Sequence, residues 1–351
     1  MSVVFRGGSV VTKDGVVVAD LMVQHGEISE IGSGLSADEV VDISGLTIFP
    51  GFVDLHAHLR EPGREDAETI ETGSRAGALG GYTAVVAMPN TDPAQDSVMV
   101  VRFVRERGEA AGLCEVVPSG CITMGRNGTQ LAPYESLAKE GVRIFTDDGN
   151  GVQDPLLMRR ALEYIKKFDG VIAQHAQEPR LTQASQMNEG FVSSQLGLKG
   201  WPAIAEESII ARDVLLADHV QARLHICHVT TRGGVEIIRW AKSRGINVTA
   251  EVTPHHLLLT DELARSYDPI YKVNPPLRTE SDVMALREAL AEGIIDIVAT
   301  DHAPHAAETK ECEWQEAAFG MLGLETALPI INMTMVQTGL LTWSQVADRM
   351  S

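Results

Sequence analysis

Residues 52–59 have the sequence FVDLHAHL, an apolar stretch of strand-like length that carries two histidines near its end. In a strand, residues i and i+2 lie on the same face, so His56 and His58 project into the same space. Seven further apolar runs follow, with helix-like stretches between them. These runs are TAVVAMP (83–89), CEVVPSGCIT (114–123), VRIFTDDG (142–149), VIAQHAQ (171–177), RLHICHVTT (223–231), NVTAEVTPHH (247–256) and IDIVATDHAPH (295–305).

The alternation of eight β-runs with helices predicts an α/β fold, a (β/α)8 barrel of the TIM type over residues 51–351. A doubly wound open sheet is the alternative, but no G-x-G-x-x-G motif follows a first strand, and eight strands suffice for closure. Two long connections, at about 178–205 and 303–321, are expected to have a function or some order of their own.

Residues 1–50 have a different character, because they contain only short strand-like runs and turns. The Asp14-Gly15 pair between apolar runs predicts a hairpin. We therefore expect a small N-terminal β-sandwich module. No returning strands complete this module, and the chain stops soon after a last helix predicted to be capped by Thr342. These features lead us to expect that a C-terminal part is missing.

The composition is that of a globular, acidic protein. The 351 residues are 44% hydrophobic, and 29 Lys and Arg against 48 Asp and Glu give a net charge of −19. Such a surface disfavours binding to nucleic acid or to an anionic membrane. Four scattered cysteines do not make a disulfide scaffold, and no signal peptide or membrane-length apolar run is present. We expect a soluble, cytoplasmic protein with a small-molecule substrate, held by local cations if it is anionic.

Polar side chains stand at the ends of five of the predicted strands. The C-terminal strand ends of a barrel meet at one rim, which is where such folds keep their chemistry. A single buried histidine is more often a hydrogen-bonded core residue, but six polar groups at one rim are hard to explain without a metal. The nitrogen and oxygen ligands suit Zn²⁺, and Mn²⁺, Co²⁺ or Fe²⁺ are compatible. The six candidates are His56, His58, Asp148, His175, His228 and Asp301.

The roles of some polar residues near these strand ends stay open. Apolar alternation along the fourth strand does not decide between Asp147 and Asp148. Three further histidines lie near the rim, where they can support the ligands, and three others receive no role. The first group is His255, His256 and His302, and the second is His25, His219 and His225.

Nine motifs, in their usual order, resemble those of the class I bacterial dihydroorotases of the amidohydrolase superfamily. The resemblance runs from the β module to about residue 340, beyond which family members continue with a last barrel segment and strands that complete the module. Its most specific parts are DLHAHLREPG, NPPLR and TDHAPH. The motifs are GFVDLHAHLREPG (51–63), AMPNT (87–91), FTDDG (145–149), HAQE (175–178), CHVTT (227–231), EVTPHHLLLT (251–260), KVNPPLR (272–278), ATDHAPH (299–305) and FGMLGLETALP (319–329).

The resemblance implies the reversible cyclisation of N-carbamoyl-L-aspartate to L-dihydroorotate plus water, in pyrimidine biosynthesis, at two Zn²⁺ ions. One ion would be bound by His56, His58 and Asp301, and the other by His175 and His228. Asp148 would bridge them, where many relatives use a carboxylated lysine. A hydroxide between the ions would attack the ring carbonyl, with Asp301 as general acid and base.

The substrate carboxylate needs a cation. Arg60 lies two residues beyond His58 and offers a planar, bidentate guanidinium, although a surface ion pair with Glu61 or Glu65 is the alternative. Asn90 and Asn274 are also assigned to the substrate by the resemblance, but either could instead stabilise a turn before proline. The resemblance assigns substrate contacts to His58, Asn90, Asn274, His305 and the backbone at Phe319 and Gly320.

Two other functions compete with this interpretation. A hydantoinase, dihydropyrimidinase or allantoinase would have the same fold and metals, but it usually has the bridging lysine and does not require Arg60. A metal-free scaffold for aspartate transcarbamoylase would be expected to have lost ligands, and none of the six is missing. A homodimer and an association of the active enzyme with aspartate transcarbamoylase stay open.

Overall fold

A computed structural model describes residues 1–351 of the chain. The first 50 residues form two small sheets, and the predicted hairpin at Asp14-Gly15 is confirmed. Their strands are β1 (Ser2–Arg6), β2 (Ser9–Thr12), β3 (Gly15–Val18), β4 (Asp20–Gln24), β5 (Glu27–Gly32), β6 (Glu39–Asp42) and β7 (Thr47–Ile48). One sheet has the order β5-β4-β1-β6 and the other β3-β2-β7. A domain boundary between residues 50 and 51 stays a prediction.

The predicted barrel follows. Its strands are β8 (Phe52–Ala57), β9 (Tyr82–Ala87), β10 (Glu115–Pro118), β11 (Ile144–Thr146), β12 (Val171–Gln174), β15 (Leu224–Ile226), β16 (Val248–Val252) and β17 (Ile297–Val298). They are parallel and form two arcs, β10-β9-β8 and β11-β12-β15-β16-β17. Isolated bridges join the arcs at Gly120 with Phe145 and at Ala57 with His302. The eight strands therefore follow one another around a single ring.

Helices cover the outside of the strands. They are α1 (Ile70–Leu79), α2 (Val98–Ala111), α3 (Tyr134–Lys139), α4 (Pro155–Ile165), α5 (Phe191–Leu196), α6 (Ile204–Val220), α7 (Arg232–Ser243), α8 (Glu280–Glu292), α9 (Ala307–Lys310), α10 (Ala327–Ile331) and α11 (Trp343–Met350). Side-chain caps fix several starts, and the predicted cap at Thr342 is confirmed by a capping box with Gln345. None of these helices has both the length and the apolar character that crossing a membrane requires.

One large apolar cluster fills the space between the strands and the helices. The long connection at 178–205 is ordered as expected, because it contains β13 (Met187–Asn188), α5 and β14 (Gly200–Trp201). This connection packs its own small apolar cluster around Trp314. The ring of Trp343 in α11 lies 5.3 Å from that of Phe49, so the last helix contacts the segment that links the β module to the barrel.

The barrel strands are shorter than the predicted runs, and the eighth differs most. A continuous strand over 295–305 is wrong, because the regular strand ends at Val298 and only His302 pairs again, in an isolated bridge with Ala57. Arg60, His228 and Asp301 all have positive φ angles of 61°, 31° and 47°. Such angles are rare outside glycine and accumulate at functional positions. Apart from His56, which lies in β8, the candidate ligands therefore stand on the segments that directly follow the strands.

Candidate active site

The structure brings all six predicted ligands together at the C-terminal ends of the barrel strands, and all six are buried. Asp148 lies at their centre. Its Oδ2 atom is 3.4 Å from Nε2 of both His56 and His58. Its Oδ1 atom is 3.3 Å from Nδ1 of His175 and from Nε2 of His228. The two oxygens of one carboxylate therefore face two different pairs of imidazoles.

Asp301 completes the first of these pairs. Its Oδ1 atom lies 3.0 Å from Nε2 of His58 and 3.6 Å from Nε2 of His56. Burial alone would raise the pKa of Asp301, but the nearby His56 and His58 outweigh it and hold the pKa well below its usual range. Burial likewise opposes ionisation of Asp148, and three histidines around it lower its pKa well below normal. Both carboxylates are therefore anionic at neutral pH.

The donor set fits a divalent metal. Nε2 of His56 is buried and has no hydrogen-bond partner, which is costly unless a ligand occupies that direction. The donor atoms of His56, His228 and Asp301 lie within 4.8 Å of one another. Those of Asp148, His175 and His228 meet the same limit. Two overlapping groups of nitrogen and oxygen donors are what a bridged pair of ions requires.

Cys227 also lies near this centre, within 4.8 Å of donor atoms of His56 and Asp148. Sulfur binds metal as the thiolate. Burial raises the pKa of the Cys227 thiol to about 12, so the thiol keeps its proton at neutral pH. The protein groups alone therefore favour nitrogen and oxygen ligands over sulfur.

Hydrogen bonds on the far side of the imidazoles fix which nitrogen faces the centre. Nδ1 of His56 lies 2.6 Å from Glu251, and Nδ1 of His58 lies 2.9 Å from Asn90 Oδ1. Nε2 of His175 lies 2.7 Å from the side-chain oxygen of Gln177. The remaining nitrogen of each of these three rings is thereby directed at Asp148.

Sequence reasoning missed Glu251 and gave His225 no role. The structure buries both, and Nε2 of His225 lies 3.0 Å from Glu251. Glu251 also accepts a hydrogen bond of 3.1 Å from the main-chain N–H of His228. A charged residue inside the apolar strand β16 was the available signal, because a buried carboxylate requires partners.

The two neighbouring aspartates of the fourth strand point in different directions. The Asp147 carboxylate accepts hydrogen bonds from the N–H of Thr123, at 3.0 Å, and from its hydroxyl. Asp148 alone faces the histidines. Among the rim histidines left open, His302 has its ring nitrogen Nε2 2.9 Å from the Glu68 carboxylate. His256 lies 2.8 Å from the Thr253 hydroxyl.

Several of the predicted substrate contacts lie next to one another, and Asn90 contacts the candidate ligand His58. Arg60 pairs with neither neighbouring glutamate, and its Nε–H donates to the Pro304 carbonyl at 3.0 Å. One terminal nitrogen lies 3.5 Å from Nε2 of His305. Oδ1 of Asn274 is buried without a partner, which leaves it available to a ligand. The N–H of Gly320 already donates to the Lys272 carbonyl at 3.0 Å.

Comparison with known proteins gives the family. A family model described as dihydro-orotase-like matches residues 45–234. A dihydroorotase of Streptomyces coelicolor is 64% identical over 95% of this chain and 78% of its own length. A dihydroorotase of Mycobacterium tuberculosis is 55% identical over 95% of this chain and 78% of its own length. This chain belongs to the dihydroorotase family. It is a cyclic amide hydrolase of pyrimidine biosynthesis.

Solved structures with the same fold include other cyclic amidohydrolases. The L-hydantoinase (dihydropyrimidinase) from Arthrobacter aurescens has a TM-score of 0.85 at 25% identity, covering 99% of this chain and 80% of that one. A dihydropyrimidinase from Brevibacillus agri has a TM-score of 0.83 at 23% identity, covering 100% and 80%. These likenesses support the barrel. Dihydroorotases are metal-dependent, and this chain has the side chains for metal binding.

Proposed function

We propose that this dihydroorotase interconverts N-carbamoyl-L-aspartate and L-dihydroorotate at two divalent ions, which we assign as Zn²⁺, with Asp301 as general acid and base. The observation that carries the proposal is the placement of Asp148, whose two oxygens face separate histidine pairs at 3.3–3.4 Å. His56, His58 and Asp301 would bind one ion, and His175 and His228 the other. When bound, such a pair would lower the pKa of water and polarise a carbonyl oxygen.

Asp301 is the group that we assign to proton transfer. It is anionic, and it stands 3.0 Å from Nε2 of His58, beside the place where a ring carbonyl would meet the centre. In hydrolysis it would take a proton from the attacking water and deliver it to the ring nitrogen as the C–N bond breaks. In cyclisation the same two transfers run in reverse, because one reaction path serves both directions.

Glu251 and Asn90 are assigned a supporting role. Glu251 is buried, and although burial opposes its ionisation, His56 and His225 lower its pKa well below the usual range. It is therefore anionic at neutral pH, and it orients His56 through a hydrogen bond with Nδ1. Asn90 does the same for His58 without a charge. Supports of this kind keep the ring nitrogens aligned while the substrate binds and leaves.

Arg60 is assigned to the carboxylate that survives in the ring. Its pKa is lowered by burial to about 10, so the guanidinium stays charged at neutral pH. Only one of its donors is used by the Pro304 carbonyl. The remaining donors can bind a carboxylate in a bidentate manner, next to His305.

The direct test is a substrate comparison. Purified, zinc-loaded protein is assayed against dihydroorotate, dihydrouracil and allantoin under the same conditions. We expect dihydroorotate to be the best substrate, because it alone has a carboxylate at the position that Arg60 would contact. Faster turnover of dihydrouracil would show a dihydropyrimidinase instead, and faster turnover of allantoin an allantoinase.

Replacing Arg60 by methionine is expected to raise the KM for dihydroorotate about 30-fold, with kcat changed less than about threefold. The loss corresponds to about 2 kcal/mol for hydrogen bonds to a charged group. Steady-state kinetics measure both constants. Arg64→Met is the matched control, because Arg64 is exposed and its only ion pair is a 3.8 Å contact with Asp66. An Arg60→Met enzyme with unchanged KM would contradict the assignment.

A further inference from the structure

The loop over 303–321 carries the proposed substrate contacts His305, Phe319 and Gly320, and the side chain of Lys310 binds the main chain at its end. Nζ of Lys310 donates to the main-chain carbonyls of Lys272 at 3.2 Å, Ala318 at 3.0 Å and Gly320 at 2.9 Å. An ammonium group has three N–H donors, so these contacts use all of them. The hydrogen-bond partners of the Lys310 ammonium are therefore main-chain carbonyls.

The main-chain carbonyl of Lys272 links the loop to a second segment of the site. The oxygen of Lys272 accepts a hydrogen bond from the N–H of Gly320 at 3.0 Å as well as from Lys310. Asn274, a proposed substrate contact, follows two residues later. In turn, Nζ of Lys272 donates to the carbonyl of Trp314 at 2.6 Å and lies 4.4 Å from the ring centroid of Phe319. Lys310 and Lys272 together therefore join the loop to the segment that carries Asn274.

The main chain at Gly320 packs directly against the imidazole of His305. Gly320 has a φ of +148°, and a Cβ atom there would lie 2.9 Å from Nε2 of His305 and 2.5 Å from the Ala303 carbonyl. That same imidazole nitrogen donates to the carbonyl of Phe319 at 2.7 Å. With so little space, any shift of the main chain at Gly320 changes the place and orientation of His305.

We propose that Lys310 is a positioning residue, which holds the backbone at Gly320 and, through it, His305 and Phe319 in the substrate-binding arrangement. The inference rests on the proposed function, because it gives these residues their role as substrate contacts. Lys310 itself touches no reacting group. It acts through the loop, so its loss is expected to weaken substrate binding while the chemistry at Asp301 continues.

Lys310 is charged under ordinary assay conditions. Burial and the neighbouring Lys272 ammonium lower the pKa of Lys310 to about 8, with Asp268 and Cys312 acting in the opposite direction. At pH 7 the protonated form with three donors therefore predominates. Methionine has a similar length and no donor, so Lys310→Met removes all three hydrogen bonds while it keeps most of the side-chain volume.

The test compares zinc-loaded variants of the full chain at pH 7. We expect Lys310→Met to raise the KM for dihydroorotate about tenfold, with kcat within about twofold, because the three lost hydrogen bonds affect substrate binding only through the loop. Hydrogen exchange of the amides in 311–321 is expected to become faster. Lys310→Arg, which keeps charge and donors, should restore most of the KM. Lys139→Met is the matched control, because Lys139 makes only an exposed ion pair on α3.

The outcomes separate the two proposals. A Lys310→Met enzyme with the parent KM overturns the positioning role, even if its loop exchanges faster. A fall in kcat without a rise in KM overturns it as well. If the parent chain does not hydrolyse dihydroorotate, the proposed function fails, and unchanged exchange in Lys310→Met would then reject the loop contact separately. Should Lys310→Met not fold, Lys310→Gln serves, because it removes the ammonium but keeps a polar end.

Discussion

Replacing Asp301 by asparagine is expected to lower the rate of dihydroorotate hydrolysis by at least about 10³-fold. Asparagine has nearly the same shape, but its amide cannot accept the proton of an attacking water or return one to the ring nitrogen. The buried carboxylate is kept anionic by His56 and His58, so it can accept a proton at neutral pH. Initial rates in both directions measure the loss, because a shared proton carrier must affect hydrolysis and cyclisation alike.

Metal content has to be measured in the same Asp301→Asn preparation. An inactive variant that keeps the parent's zinc has lost the proton carrier. An inactive variant without zinc has lost a ligand, which the position of Asp301 beside His58 also allows. A fully active Asp301→Asn enzyme would remove the proposed acid and base.

Replacing Asp148 by asparagine is expected to reduce bound zinc to less than one ion per chain and to abolish detectable turnover. The four imidazoles carry no negative charge, and Asp148 is the only carboxylate that contacts both pairs of them. Its loss removes the shared anion that would hold two cations close together. Zinc per chain is measured by elemental analysis after loading and desalting, alongside the activity.

Asp147→Asn is the matched control for this experiment. It makes the same chemical change one residue earlier, where the side chain accepts hydrogen bonds from Thr123 and does not face the histidines. We expect this variant to keep its zinc and most of its activity. Equal loss of metal in the two variants would show that the fourth strand end is merely sensitive to substitution. A zinc-loaded, active Asp148→Asn enzyme would refute the bridging assignment.

The sequence predicted the barrel and the meeting of the six polar residues because both follow from simple geometry. Parallel strands of one ring must end at one rim, and His56 and His58 must share a face because they are two residues apart. Once eight runs are recognised, the residues at their ends need no further information to be placed near one another. The motif resemblance favoured Asp148 over Asp147, and in the structure Asp148 faces the histidines while Asp147 contacts Thr123.

The rest depends on contacts between distant segments that no local pattern records. Glu251 is a charged residue in an apolar strand, but its pairing with His225 follows only when β15 and β16 lie side by side. The end of the eighth strand at Val298 also depends on a distant contact. The N–H of Thr300 donates a hydrogen bond to the Asp54 carboxylate, 246 residues away. Lys310 gave no signal at all, since its partners are main-chain carbonyls.

The short distance between His58 and Asp301 joins residues that are 243 positions apart. A partly synthesised chain that ends before the eighth strand has the first ligands but not the last. An ion bound by both His58 and Asp301 would therefore require the complete barrel and would cross-link its first and last strands. Removal of the ion by a chelator should consequently destabilise the contact between β8 and β17 before it affects the strands on the opposite side of the barrel.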